Sequence, residues 1–258
     1  ITREEVEKID TTQKSGKKEI QRLIRSIPER KYKGAEVFDV LITKIKDQPK
    51  ELNKILTYVE TNIIEPSDIL GKKSLPIIIQ HTKDEPEKLY KIILQSKNPS
   101  ESIIQIATID QPKTFISFLQ YTIKNQPRSL LTLDGTKLQT VINNITEESI
   151  KDEIFNLFIK NPENSSSILE AFKDDQPKIE KLYEKYKKNP GLKKLPYQSA
   201  AIILKNINDT IKDCSSEQIY MIMRNSDEDT TKHCLELYSQ LQYHSVELTN
   251  IENIEYVE

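Results

Sequence analysis

The chain has 258 residues, a formal net charge of -2, five glycines and no tryptophan. So few glycines argue against a fold rich in strands and tight turns, and the balanced charge gives no overall attraction to nucleic acid or anionic membranes. No apolar run approaches the roughly 18–20 residues that a membrane-spanning helix needs, so we expect no membrane span.

Residues 1–15 are polar and predict an N-terminal linker or a short helix near Arg3–Lys8. Glycines then stand ahead of similar apolar segments at Gly16, Gly71, Gly135 and Gly191, separated by 55, 64 and 56 residues. We interpret each glycine as the end of the preceding helix. This spacing predicts one helical-repeat domain over residues 16–241, made of four degenerate repeats. The predicted repeat units are 16–70, 71–134, 135–190 and 191–241.

A second motif predicts where helices begin. It reads Asp47-Gln48-Pro49-Lys50 and recurs at residues 84–87, 110–113 and 175–178. Asp can accept a hydrogen bond from a free N–H of the first turn, and Pro is tolerated there because its missing N–H is not needed. Apolar residues at helical spacing follow, as in Leu52, Ile55, Leu56 and Val59. A third motif, Lys-Asn-Pro at residues 97–99, 160–162 and 188–190, is interpreted as a helix end.

Near the C-terminus, Ser215–Gln218 and Asp227–Asp229 predict the starts of the last two helices, and residues 242–258 predict an acidic tail. The whole pattern predicts an all-α fold of about 11–14 short helices. Helices of this length are marginal alone in water, so they must stack on one another. We therefore expect a right-handed α-solenoid of helical hairpins.

At the level of architecture, residues 16–241 resemble α-solenoids such as armadillo and HEAT arrays. The spacing of the glycines does not match the armadillo and HEAT periods of about 40–47 residues, and the 34-residue tetratricopeptide pattern is absent. The resemblance implies protein binding on a concave surface.

Lysines interleaved with tyrosines at residues 178–188 form the sharpest local feature. They could contact an acidic protein surface or phosphates. The simpler interpretation is an amphipathic helix that buries Ile179, Leu182, Tyr183 and Tyr186 under a solvated face. A second basic segment covers Arg22–Lys33. The candidate partner-binding residues are Lys181, Lys185, Lys187, Lys188, Lys193 and Lys194.

We predict no catalytic, cofactor or metal site. His81, His233 and His244 show no metal-ligand spacing, and Cys214 has no cationic neighbour in sequence that would activate it. Gly71-Lys72-Lys73-Ser74 resembles part of a phosphate-binding loop but lacks the upstream glycine of that motif. Two cysteines alone suggest a reducing compartment.

The expected function is a non-catalytic protein–protein interaction module, and the Ile-, Lys- and Asn-rich composition suggests a segment of a microbial effector or surface protein that binds a host protein. The alternatives are an RNA-binding helical array and a regulatory helical domain from a larger enzyme. We expect a monomer with a protein partner, without nucleic acid or a small-molecule substrate. The expected location is the cytoplasm or a host cytosol. The chain opens on Ile1, so we expect a fragment in which no targeting segment is visible.

Overall fold

The computed structural model describes residues 1–109, 111–188 and 191–254, with side chains as far as residue 242. All regular elements in this part of the chain are helices, which confirms the predicted all-α class. The α-helices are α1 (Arg3–Glu7), α2 (Lys14–Ser26), α3 (Glu36–Lys44), α4 (Pro49–Glu60), α5 (Ser74–His81), α6 (Pro86–Leu94), α7 (Pro99–Thr108), α8 (Pro112–Asn125), α9 (Gly135–Asn143), α10 (Glu148–Phe158), α11 (Ser165–Ala171), α12 (Gln176–Tyr186), α13 (Tyr197–Asn206), α14 (Ser216–Asn225) and α15 (Glu228–Ile254). Short 3₁₀ helices lie at Pro66–Asp68, Pro127–Thr132, Pro162–Asn164, Leu192–Lys194 and Asn208–Asp213.

The chain forms two compact units. The first contains residues 1–133 and 140–153, and the second contains residues 134–139 and the chain from residue 154 onward. The single array predicted over residues 16–241, with its four repeat units, stays a prediction. The predicted motifs at 110–113 and 188–190 and the predicted tail include residues 110, 189–190 and 255–258, which lie outside the described residues.

The odd-numbered helices from α3 to α13 share one burial pattern, in which positions n, n+3 and n+4 are buried. In α3 these are Phe38, Leu41 and Ile42, and in α13 they are Ala200, Ile203 and Leu204. The other members of the pattern are Leu75, Ile78 and Ile79; Ile103, Ile106 and Ala107; Leu138, Val141 and Ile142; and Ser165, Ile168 and Leu169. This spacing places the three side chains on one face, so each of these helices buries a single narrow patch.

Helices α4 and α8 bury a patch of four positions, at n, n+3, n+4 and n+7. It consists of Leu52, Ile55, Leu56 and Val59 in α4, as the sequence predicts. In α8 the pattern is Phe115, Phe118, Leu119 and Thr122. Buried Thr122 fits the last position because its hydroxyl donates to the Phe118 carbonyl at 2.8 Å. Four buried positions at this spacing let α4 and α8 contact a neighbour over about two full turns.

Within each unit, helices pack against second neighbours along the chain as well as against adjacent helices. In the first unit, α3 packs against both α1 and α5, α2 packs against α4, and α6 packs against α8. In the second unit, α13 packs against both α11 and α12. The buried face of a helix is therefore covered by helices two positions away along the chain as well as by the adjacent ones.

Proline sets the start of several helices, but the predicted role of aspartate is wrong at two of them. Pro49 and Pro86 are the first residues of α4 and α6, so the residue before each is the N-cap and the motif's Asp lies one position too early to cap. Helix α12 instead begins at Gln176, one residue before the proline of its motif, Pro177. Asp175 is then the N-cap and accepts a hydrogen bond from the Lys178 N–H at 3.2 Å.

Two of the predicted helix ends also differ in the structure. Pro99 and Pro162 of the Lys-Asn-Pro motifs begin the next helical segment rather than end the previous one. Their prolines occupy the first helical position, where a missing N–H is harmless. Predicted starts at the C-terminus are confirmed: Ser215 forms a capping box with Gln218, and Asp227 accepts hydrogen bonds at the start of α15.

Gly16 and Gly71 lie where another part of the chain approaches closely. Gly16 lies inside α2, where a Cβ atom would stand 1.8 Å from the Asp10 carbonyl oxygen. Gly135 is the first residue of α9, so for these two glycines the prediction is wrong. Gly71 precedes α5, and a Cβ there would lie 2.2 Å from the Asp39 carboxylate. Each close approach requires a residue without a side chain.

Asp39 explains why Gly71-Lys72-Lys73-Ser74 is not a phosphate-binding loop. Its Oδ1 accepts hydrogen bonds from the backbone N–H groups of Lys73 and Ser74, at 3.2 and 2.9 Å, and from the Ser74 hydroxyl at 2.8 Å. A carboxylate from α3 thus caps the N-terminus of α5 and occupies the donors that a phosphate would need.

The two ends of the chain are helical over part of the segments predicted as linker and tail. Thr2 and Glu5 form a capping box at the start of α1, and the Val6 side chain of that helix is completely buried. The backbone of α15 continues through residue 242 to Ile254.

Candidate functional site

Helix α12 carries the predicted lysine surface. Its Ile179, Leu182 and Tyr186 side chains are buried, as the amphipathic interpretation predicts, while Tyr183 is half-buried. The Tyr186 hydroxyl donates to the Ile159 carbonyl at 2.5 Å, and burial raises the pKa of this phenol. This buried anchor fixes the rotation of α12 and leaves Lys181 and Lys185 exposed, one turn apart.

Two of the six predicted lysines already have partners. The Lys181 ammonium donates to Oδ1 of Asn156 at 2.9 Å and lies 5.9 Å from the Phe155 ring centroid. The Lys187 ammonium pairs with Glu184 at 2.5 Å, and this contact raises the pKa of Lys187. These two side chains are the least available to a binding partner.

The other four predicted lysines are exposed, and none pairs with a carboxylate anywhere in the described chain. The Lys185 ammonium lies 5.7 Å from the ring centroid of its neighbour Tyr186. The four lysines are Lys185, Lys188, Lys193 and Lys194.

Buried hydrogen bonds fix the position of the turn at Leu192–Lys194. The Gln218 side-chain amide donates to the carbonyls of Leu192 and Leu195, at 2.8 and 2.7 Å, from a buried position. Gly191 enters the turn at φ 97°, a backbone conformation that favours glycine. Lys193 and Lys194 therefore extend from a backbone whose position is fixed by these hydrogen bonds. The structure brings the predicted lysines into two groups, on α12 with Lys188 just beyond it, and on this turn.

A groove of about 520 Å³ lies over the exposed side of α13 and was not predicted from the sequence. Its floor includes Ala201 and Ile202, with Tyr197 at one end and the ion pair of Lys205 with Asp227 (3.3 Å) at the other. The remaining lining residues come from the end of α11 and from the α14–α15 connection. Because three separate segments form it, no single stretch of sequence indicates this groove. The small Ala201 on the exposed side of α13 is the one local signal.

The two cysteines are buried, and His81 and His233 contact asparagine side chains, whereas the side chain of His244 lies outside the described residues. Cys214 and Cys234 are buried in the same cluster of apolar side chains in the second unit. Burial raises the pKa of Cys214 to about 12 and also raises that of Cys234. His81 contacts Oδ1 of Asn53 at 2.8 Å, and burial lowers its pKa. Within the described residues, no three His, Cys, Asp or Glu side chains are grouped so that they could hold a metal ion.

Within the described part of the chain, no helix is both long enough and apolar enough to cross a bilayer. Comparison with protein-family models, with curated proteins and with solved structures finds no significant match to this chain.

Proposed function

We propose that this protein is a non-catalytic protein–protein interaction module built as a right-handed α-solenoid. The observation that carries the proposal is the recurrence of buried positions n, n+3 and n+4, which the odd-numbered helices from α3 to α13 share with α4 and α8. Each helix buries one face only, so its stability depends on covering that face with neighbours. The same-parity packing of α1, α3 and α5 supports this arrangement.

The two-helix hairpin is our proposed repeat, in place of the longer spacing of the glycines. The odd-numbered helices from α3 to α13 begin 38, 25, 36, 30 and 32 residues apart. The two longer units predicted from the glycine spacing, 71–134 and 135–190, would then each contain two hairpins. Stacked hairpins leave one row of helix faces in solvent, and such a row offers an extended binding surface.

The proposed contact surface in the second unit consists of Lys185, Lys188, Lys193 and Lys194. These ammonium groups have no carboxylate partner within the described chain, so a partner's acidic groups would not have to displace an existing ion pair. Charge complementarity of this kind mainly speeds association and excludes wrong partners. The proposal extends to a microbial effector or surface protein acting on a host protein.

A capture experiment tests the proposal. The full chain is immobilised and exposed to eukaryotic cytosolic extract at low and moderate salt, with mass spectrometry of bound proteins and an assay for bound nucleic acid. The test variant is K185E/K188E. The matched control is K160E/K232E, which changes the net charge equally at two exposed lysines of the same unit that also have no ion pair in the described chain.

One protein captured by the wild type and the control but lost in K185E/K188E supports the proposal. Capture of RNA, or of a protein that both variants retain equally, contradicts the proposed surface.

A further inference from the structure

Helix α2 has an unusual charge distribution. Its thirteen residues include Lys14, Lys17, Lys18, Arg22 and Arg25 against the single carboxylate Glu19, a net charge of +4. All five cations are exposed, and none lies within ion-pair distance of a carboxylate in the described chain. By contrast, Arg3 of α1 pairs with Glu7 at 2.6 Å.

Four of these cations form one line opposite the buried face of α2. Gly16, Ile20, Leu23 and Ile24 are the buried residues of this helix. At about 100° per residue, Lys14, Lys18, Arg22 and Arg25 fall within an arc of about 80° on the other side, and they extend over about 16 Å of helix. We call these four residues the α2 stripe.

Lys14, Lys18 and Arg22 of the α2 stripe oppose the stability of their own helix, whereas Arg25 lies in the last turn, where the helix dipole favours a positive charge. Lys14 is the first residue of α2, where the helix dipole disfavours a positive charge, and Gln13 makes no side-chain capping hydrogen bond. Lys14 and Lys18, and Lys18 and Arg22, are like charges four residues apart, which repel each other. The first turn contains no acidic residue to offset them. Charges that weaken the helix that carries them are expected at a functional surface.

We propose that the α2 stripe binds an acidic helix of another protein. Carboxylates at every fourth position of a helix are spaced by about 6 Å, the same rise that separates Lys14, Lys18 and Arg22. Arginine in the stripe favours carboxylates because its guanidinium can donate two parallel hydrogen bonds. Nucleic acid is a poorer fit, since residues 14–26 contain no aromatic side chain for base stacking and the whole chain is slightly acidic.

This surface differs from the second basic segment predicted from the sequence, Arg22–Lys33. Arg30 of that segment pairs with Glu5 at 3.0 Å. Lys14 and Lys18 lie before that segment, yet they complete the line on α2. The α2 stripe also belongs to the first unit, apart from the lysines of α12, so either surface can fail its own test alone.

The test measures binding of a fluorescein-labelled peptide of about 16 residues, with glutamate at every fourth position among alanines, to the full chain by fluorescence anisotropy. A scrambled peptide of the same composition controls for bulk charge, and a uridine oligonucleotide of similar length tests nucleic acid. The variant is K14E/K18E. Its control is K46E/K83E, which reverses two exposed lysines in turns of the same unit that have no ion pair in the described chain.

We expect K14E/K18E to weaken peptide binding by at least about tenfold while K46E/K83E changes it little, and added salt to weaken wild-type binding. K14E/K18E should also raise the melting temperature by about 1–4 °C, because it places a negative charge at the helix start and a Glu four residues before Arg22. The gain in stability distinguishes lost binding from lost folding.

Three results would overturn the proposal: equal peptide binding by the two variants, equal binding of the scrambled peptide, or tighter binding of the oligonucleotide.

Discussion

Asp39 offers the sharpest test of how distant residues hold this fold together. Its carboxylate accepts three hydrogen bonds at the start of α5, and Gly71 makes room for it. Asp39→Ala removes the cap and leaves two backbone N–H groups without their acceptor, while the Ser74 hydroxyl still has the Ile69 carbonyl oxygen at 2.8 Å. Loss of an N-cap costs about 0.5–2 kcal/mol, and hydrogen bonds to charged groups are worth about 1.5–3 kcal/mol. We therefore expect a loss of about 2 kcal/mol, which corresponds to a melting temperature lower by about 4–8 °C.

Gly71→Ala should have a similar cost for a linked reason. The new Cβ would lie 2.2 Å from Oδ1 and 2.6 Å from Cγ of Asp39, so the carboxylate must move away and lose its hydrogen bonds. In the Asp39→Ala background those atoms are gone. The double variant should therefore be destabilised by only about 2 kcal/mol rather than by the sum of about 4 kcal/mol.

Urea unfolding followed by far-ultraviolet circular dichroism measures the four free energies of this cycle. Gly34→Ala is the control, because Gly34 has a φ of 77° but nothing within 4 Å of its Cβ position. Its cost of about 1–2 kcal/mol reflects backbone strain and should be the same with or without Asp39. If Gly71→Ala keeps its full cost when Asp39 is replaced by Ala, contact with the carboxylate is not what requires glycine there.

Three further predictions concern the second unit. Tyr186→Phe removes the hydroxyl that donates to the buried Ile159 carbonyl at 2.5 Å, so we expect the free energy of unfolding to fall by about 1–3 kcal/mol in the same urea assay. An unchanged urea midpoint would contradict this hydrogen bond. Hydrogen bonds from Thr230 lower the pKa of Asp227 to about 2, so the ionised carboxylate stabilises the fold above its unfolded pKa, and this contribution is lost as the pH falls from about 4 to about 2. Asp227→Asn should flatten that part of the curve of stability against pH, and an unaltered curve would refute the assignment. Burial raises the pKa of both Cys214 and Cys234, so both thiols should resist a disulfide reagent at neutral pH and should react together once urea unfolds the protein. Rapid labelling of the native protein would contradict their burial.

The features that could be predicted from the sequence are those set by neighbouring residues. The apolar spacing after Pro49 gave the buried face of α4 correctly, because helical periodicity is a local property. The capping prediction for Asp47 failed because a cap depends on which residue is first in the helix, and a shift of one position removes it. Asp175, in the same motif, does cap because α12 starts one residue earlier relative to its proline.

The features that could not be predicted join residues that lie far apart in the sequence. Asp39 and Ser74 are separated by 35 residues, and neither shows by itself that one caps the other's helix. The α13 groove needs the C-terminal end of α11 and the α14–α15 connection as well as α13. Five of the six predicted lysines are exposed and Lys187 is half-buried, and the partners of Lys181 and Lys187 emerged only from the structure.

Helix starts in this protein are varied, while the buried positions are repeated. Proline begins α4 and α6, a capping box begins α14, and a carboxylate from α3 caps α5. Each such device is worth about 1 kcal/mol, whereas burying one large apolar side chain is worth about 1.5–3 kcal/mol, and most of the helices bury two or more. The shared n, n+3, n+4 spacing therefore fixes how the helices pack, and the ends can differ without moving them. The outward faces are free of both constraints, so the charges of the α2 stripe are not required by the packing of α2.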